Sequence, residues 1–296
     1  IYTFAKIQSE IFNKKYRFNY HQTENVNKID KIKNNIIRNS IKYYKYNEPL
    51  YIATISDIPA GTGMGSSGAF QVSVCKILNI LMRNKRKNNL QLAQDASKIE
   101  MSLTKSEAGF QDQYSAACGG FNEYTFYDNS KISVKKLNQK FQLKFLKNLS
   151  NNSILIYTNK NRKAQNILKE QKNNYKKKDI FNYTKRILQL EEDFFKKLND
   201  KSSDIIDYYN DLMNESWNLK KSLSKKISNN HIENIFDFLK KNGMISGKIL
   251  GAGGGGFVLC TFKNPLNKKK FIKNNNKKFK MLNFNYSHSG IITTHD

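Results

Sequence analysis

Residues 57–70 read Asp-Ile-Pro-Ala-Gly-Thr-Gly-Met-Gly-Ser-Ser-Gly-Ala-Phe, a composition suited to holding an anion. Gly61, Gly63 and Gly65 alternate along the stretch. Glycine lets a backbone turn tightly and come close to a ligand. Ser66 and Ser67 follow, and an apolar run extends from Ala69 to Met82. Serine is a good N-cap, so a helix is expected to begin at Ser66 or Ser67. A glycine-rich turn that feeds a helix N-terminus aims several free N–H groups and a positive dipole end at one spot, most often occupied by phosphate. The stretch is not Walker A, because no Gly-Lys-Ser/Thr follows the glycines, and the acidic partner of the dinucleotide fingerprint is missing. A strand-to-helix turn without a ligand is the plainer alternative.

Two further stretches narrow the chemistry. Residues 100–122 contain Gly109-Phe110-Gln111-Asp112-Gln113-Tyr114 and Gly119-Gly120-Phe121-Asn122. Residues 248–260 read Lys-Ile-Leu-Gly-Ala-Gly-Gly-Gly-Gly-Phe-Val-Leu-Cys. In this order and at these separations the chain resembles the GHMP small-molecule kinases (galactokinase, homoserine kinase, mevalonate kinase and phosphomevalonate kinase) over nearly its whole length. The Gln-Asp-Gln-Tyr and Gly-Gly-Phe-Asn wording is most similar to the D-glycero-D-manno-heptose 7-phosphate kinases.

That resemblance implies a two-domain α+β fold, with an N-terminal domain like ribosomal protein S5 domain 2 and a ferredoxin-like C-terminal domain. It implies ATP and Mg²⁺ as cofactors and a sugar phosphate as acceptor. The implied reaction is phosphorylation of the anomeric hydroxyl of a heptose 7-phosphate, giving the 1,7-bisphosphate for nucleotide-activated heptose and surface polysaccharide. The alternatives are fucose, galactose or a mevalonate-type acid as acceptor, or a non-catalytic relative that binds ligand and regulates. Glu100 and Asp112 argue against the last.

A sugar kinase must hold a triphosphate and Mg²⁺, place a hydroxyl in line, and stabilise the charge on the transferred group. The nucleotide would contact Pro59, Gly61, Gly63, Met64, Gly65, Ser66, Ser67 and Gly68, with backbone amides cradling the phosphates. A Ser67 hydroxyl and the Glu100 carboxylate would supply oxygen ligands to Mg²⁺, a hard ion. The plainer roles are N-capping for the serines and a buried salt bridge for Glu100. Asp112 is the candidate base: it lies in a polar island, and the resemblance places the catalytic aspartate of the galactokinase-like members here. Its plainer role is a hydrogen-bonder at a helix start. Gly253, Gly254 and Gly255 carry no side chains, so they act by backbone approach, either to substrate or to the phosphate loop. The chain departs from the heptose kinases in two places. It has no counterpart of their first sugar-binding segment, so residue 1 is expected to fall just after that segment, with N-terminal strands missing. Residues 103–108 (Leu-Thr-Lys-Ser-Glu-Ala) also differ from the usual Leu-Gly-Glu-Pro-Ile wording.

Composition sets limits on other functions. The 296 residues suit two domains, and 51 basic against 24 acidic residues leave a net charge of +27. The excess is mostly lysine spread along the chain with asparagine, not arginine concentrated with aromatics. It reads as a surface drift, and no dedicated nucleic-acid partner is expected. The field would help gather ATP and a phosphorylated sugar. Cys75, Cys118 and Cys260 form neither a disulfide framework nor a metal pattern, and they suit a reducing cytoplasm. No apolar stretch is long enough to span a membrane, and no signal peptide is visible. A homodimer is left open.

These site residues need elements to hold them. Short strands are expected within residues 1–20, a helix over 27–45 and a strand at 50–55 running into the glycine loop. A buried helix should fill 67–82. A second helix should carry Ala93, Ala96, Ile99 and Leu103, with Glu100 on it. Strands follow at 121–127, at one or two places in 132–146, and at 153–158. A mobile lysine-rich stretch over 161–178 surrounds a short helix. Amphipathic helices are expected at 181–198, 205–223 and 231–241, the last ended by Asn242-Gly243. Strands at 247–250 and 257–262 flank the last glycine run, and a helix at 267–278 and a strand at 281–286 close the chain. The domains are therefore expected at 1–150 (ATP-binding) and 151–296.

Overall fold

The computed structural model describes residues 2–7 (as backbone), 15–82, 86–103, 109–127, 131–161 and 164–294. Of the residues singled out above, residue 1 and residues 104–108 lie outside these. Two compact units emerge, one from Ile1–Ala60, Gly65–Ile132 and Ser287–Asp296, the other from Gly61–Met64 and Ser133–Tyr286. Residue 150 falls inside a helix of the second unit.

The first unit is built on a four-stranded mixed sheet. Strands β1 (Tyr2–Ile7), β2 (Tyr16–Asn19), β3 (Thr23–Val26) and β4 (Leu50–Ile55) lie in the order β1-β4-β2-β3. β4 runs antiparallel to β1, with Tyr2 opposite Ile55, and parallel to β2, with Phe18 opposite Ile52. A 3₁₀ turn at Ile29–Lys31 precedes α1 (Asn35–Tyr44), so the helix expected over 27–45 starts later. Asn34 sets that start by accepting a hydrogen bond from the Ile37 N–H. Ile37 and Ile41, one turn apart, then pack with Phe18, Ile52, Val74 and Leu78. α2 (Ser66–Leu81) supplies the last two of these, and the apolar run predicted it.

α3 (Asn89–Lys98) opens with a capping box between Asn88 and Gln91. Its continuation is a π-helical turn, Ile99–Leu103, not the regular helix expected there. Such turns disrupt the regular hydrogen-bond ladder and often mark functional sites. α4 (Gln111–Cys118) and strand β5 (Asn122–Phe126) complete the unit.

The second unit holds β6 (Ile132–Lys136) from Ser133 onward, α5 (Lys140–Asn152), β7 (Ser153–Tyr157), α6 (Ala164–Asn174), α7 (Lys178–Asn199), α8 (Ile205–Leu223), α9 (Asn230–Lys241), β8 (Met244–Ile249), β9 (Phe257–Phe262), α10 (Pro265–Asn275) and β10 (Met281–Leu282). Its sheet is antiparallel, in the order β10-β7-β9-β8. Counted along this sheet's own strands that is fourth, first, third, second, the ferredoxin-like order. One face carries Ile154, Ile156, Val258, Cys260 and Phe262 into a core with Trp217, Ile232, Phe236 and Leu239. The Trp217 and Phe236 rings stack with centroids 5.2 Å apart.

Two expectations are narrowed here. Of the one or two strands expected within 132–146 one forms, β6, and residues 140–146 are helical. Phe141, Leu143 and Phe145 alternate like a strand, but the reciprocal capping of Gln139 and Gln142 starts a helix, and Phe145 is the residue it buries. The final strand covers only Met281–Leu282 of 281–286.

Candidate active site

Gly65 is the N-cap of α2 and sits in the left-handed region at φ 67°. Gly61 and Gly63 share that conformation, at φ 77° and 82°. Left-handed residues allow successive N–H groups of a loop to turn to one side, the arrangement that anion-binding concavities use. No side chain caps the helix. Ser66 and Ser67 are its first helical residues, which corrects their expected role as caps. The left-handed cap position suits glycine, so the serines move one place in. Ser67 is exposed and Ser66 is half-buried. Gly63, Gly65 and Gly68 do have the Gly-x-Gly-x-x-Gly spacing of dinucleotide folds. However, both sheet neighbours of the strand before them, β1 and β2, precede it in the chain, so among the described residues no parallel strand beside it follows α2 to complete the βαβ setting that this fingerprint requires.

Asp112 is the second residue of α4 and is exposed. The structure brings it to the head of α2. A Cβ on Gly65 would lie 3.6 Å from the Asp112 Cγ and 3.8 Å from its Oδ1. A Cβ on Gly68 would lie 2.8 Å from the Asp112 Cβ. Two missing side chains thus let a carboxylate reach the glycine loop. Glu100, on the π-helical turn, accepts a hydrogen bond from Nε2 of Gln113, the residue after Asp112.

The opposite end of α4 is also held within the first unit. Ala117 O accepts from the Ile291 N–H at 3.2 Å, and the Gly120 N–H donates to Ser287 O at 3.0 Å. A Cβ on Gly290 would meet Ala117 O at 2.1 Å. The carbonyls of a helix's last turn need such outside partners. The sequence reading missed this, although Gly290 was its only signal.

In the second unit, Gly61–Met64 and the last glycine run come together. Phe257 N–H donates to Thr62 O at 3.3 Å, and a Cβ on Gly256 would stand 2.1 Å from that oxygen. Gly254 N–H donates to Ile227 O at 2.7 Å, and Gly256 N–H donates to Lys160 O at 2.9 Å. A Cβ on Gly253 would meet the Ile227 Cγ2 at 2.7 Å, and one on Gly255 would meet Lys160 O at 2.6 Å. Of the two backbone roles open for this run, the close approaches seen are to protein, including Thr62 of the glycine loop. Pro59 lies exposed on the first unit's side of the loop.

Other buried titratable groups serve the fold. Asp95 accepts from Tyr43 Oη at 2.9 Å, Tyr44 Oη at 2.5 Å and Lys87 Nζ at 2.5 Å. Burial, with help from that carboxylate, pushes Tyr43 up to about 12. Burial also raises the Cys75 and Cys260 thiols far out of the reactive range. Among the described residues no three of His, Cys, Asp and Glu are grouped to cage a metal ion. Ser67, on the first turn of α2, and Glu100, on the π-helical turn, each carry oxygen, the donor type that Mg²⁺ prefers. No helix among the described residues is long and apolar enough to cross a membrane.

The left-handed glycine loop, the uncapped helix and the carboxylate beside it occur in a chain that two family models match. GHMP kinases N terminal domain covers residues 31–120, and GHMP kinases C terminal covers 206–280. The chain belongs to the GHMP kinases. It is 31% identical over 224 residues to the D-glycero-alpha-D-manno-heptose 7-phosphate kinase of Campylobacter jejuni, a match covering 74% of this chain and 63% of that relative's length. A D-glycero-D-manno-heptose 1-phosphate kinase from Bacteriodes thetaiotaomicron shares the fold, with TM-score 0.70, 20% identity, and 97% and 84% of the two chains covered. The mevalonate kinase of Methanococcus jannaschii does so at TM-score 0.67 and 22% identity, covering 95% of this chain and 86% of that one.

Proposed function

We propose that this chain is an ATP-dependent sugar kinase whose acceptor is D-glycero-D-manno-heptose 7-phosphate and whose product is the 1,7-bisphosphate. The observation that carries the reading is the Asp112 carboxylate standing beside Gly65 at the head of α2. A general base has to lie within reach of the hydroxyl whose proton it takes, and that hydroxyl must stand beside the phosphate that the head of α2 would cradle. The likeness to the Campylobacter heptose 7-phosphate kinase supports the choice of acceptor.

In this reading the amides of residues 63–67 hold the triphosphate, and Ser67 and Glu100 hold Mg²⁺. When bound, the ion neutralises charge on the phosphates. Asp112 accepts the proton of the anomeric hydroxyl as that oxygen takes the phosphoryl group. A domain boundary near residue 150, separating ATP-binding and C-terminal domains, belongs to the same reading.

The test is a coupled ADP-release assay over a panel of sugars and sugar phosphates, including heptose 7-phosphate, fucose, galactose and mevalonate. Release dependent on heptose 7-phosphate is expected. Turnover with another acceptor would replace the substrate, and none with any would favour a ligand-binding relative.

A further inference from the structure

Gln113 is 2% exposed, and its Nε2 donates to Glu100 Oε2. Its other polar atom, Oε1, is buried and has no partner among the described residues. Burying an amide with half of its hydrogen-bonding capacity unmet costs stability, and an apolar side chain of similar shape would avoid that cost. The amide is therefore poorly explained as packing. What it gains is a single contact, to the carboxylate read above as a metal ligand. The kind of donor matters too. A lysine or arginine at this position would bring a positive charge to Glu100 and compete with a cation. A neutral amide orients the carboxylate and brings no charge.

Position in the chain adds a second argument. Asp112 and Gln113 are consecutive on α4, so one faces the glycine loop while the next reaches back to the π-helical turn. Any shift of α4 would move both together.

We propose that Gln113 is a positioning residue: its amide sets the orientation in which Glu100 meets the divalent cation, and ties that orientation to the placement of Asp112. This rests on the reading of Glu100 as a Mg²⁺ ligand. Partners behind a metal ligand commonly change metal affinity by about 10–100-fold when removed.

The experiment compares the parent chain with Gln113→Met, which keeps the length but loses the donor, and with Glu100→Gln. Three quantities are read: half-saturating Mg²⁺ in turnover, Mn²⁺ binding by electron paramagnetic resonance in the presence of a non-hydrolysable ATP analogue, and melting temperature. Gln113→Met should raise half-saturating Mg²⁺ and weaken Mn²⁺ binding by about tenfold. The KM for sugar should stay the same, and the melting temperature should be equal or higher. If Glu100→Gln shifts the metal dependence and Gln113→Met leaves it unchanged, the positioning role is overturned while the ligand reading stands. If Glu100→Gln itself has no effect on Mn²⁺ binding, the ligand reading fails and the inference fails with it. Should the methionine variant not fold, Gln113→Asn, one methylene shorter, is expected to show the same metal shift, and parent-like Mn²⁺ binding there would count against the proposal.

Discussion

Gly68 and Asp112 are packed so closely that the 2.8 Å separating a Gly68 Cβ from the Asp112 Cβ is shorter than any real contact between such atoms. The Asp112 carbonyl carbon and the Gln113 nitrogen are close behind, at 3.0 and 3.1 Å. The first turns of α2 and α4 therefore touch through backbone, and neither can yield by rotating a side chain.

Gly68→Ala should displace α4 and cost about 1–3 kcal/mol, the usual range for inserting a methyl into a packed contact. Because Asp112 moves with the helix, kcat should fall by about tenfold or more. Urea denaturation and single-turnover kinetics check the two effects. A variant with parent stability and parent rate would show that the contact is looser than described.

Asp112→Asn should leave ATP affinity and stability near those of the parent and lower kcat by about two orders of magnitude. A rate within a factor of about two of the parent would remove Asp112 from the base role.

Gly65→Val places a branched side chain at φ 67°, where such residues are strained, and puts its Cβ 3.6 Å from the Asp112 carboxylate carbon. ATP binding should be lost while the rest of the first unit stays folded. Isothermal titration with ATP, alongside circular dichroism, separates loss of the site from loss of the fold.

Glu24 should contribute stability in a pH-dependent way. It is 6% exposed and accepts hydrogen bonds from Tyr20 and from the N–H groups of Lys33 and Asn34. Burial alone would raise its pKa, but these hydrogen bonds outweigh it and hold the group below its ordinary 4.5. A depressed carboxylate stabilises the fold fully above its unfolded pKa, and the contribution is lost as pH falls through the lower folded value. Glu24→Gln should thus be less stable than the parent at pH 7, and the gap should close in acid. Denaturation curves from pH 7 down to about pH 2.5 measure it. A gap that stays constant with pH would contradict the assignment.

Much of this architecture was legible because the signals are local. The apolar run after Ser67 predicted α2, and Asn242-Gly243 predicted the end of α9, where Gly243 has φ 95°. The ferredoxin-like order was implied by the family resemblance and is seen in the β10-β7-β9-β8 sheet. Less was legible where two periods compete, as in residues 140–146, where strand-like alternation lost to a capping box. The glycine motifs were visible as residues, but what each glycine makes room for was not. Gly256 makes room for Thr62 and Gly253 for Ile227, pairs that only the folded chain brings together. The Gln113–Glu100 contact escaped for the same reason: thirteen residues and a π-helical turn separate the partners.

The hold of residues 287–291 on Ala117 and Gly120 has a consequence for how the molecule is made. A ribosome emits the chain from its N-terminus, so α4 leaves the exit tunnel long before Gly290 has been translated. All of the second unit except Gly61–Met64 is synthesised in between. Throughout that synthesis the earlier half, with Asp112, lacks the partners of its helix end. In birth order the first unit is the one that begins first and finishes last.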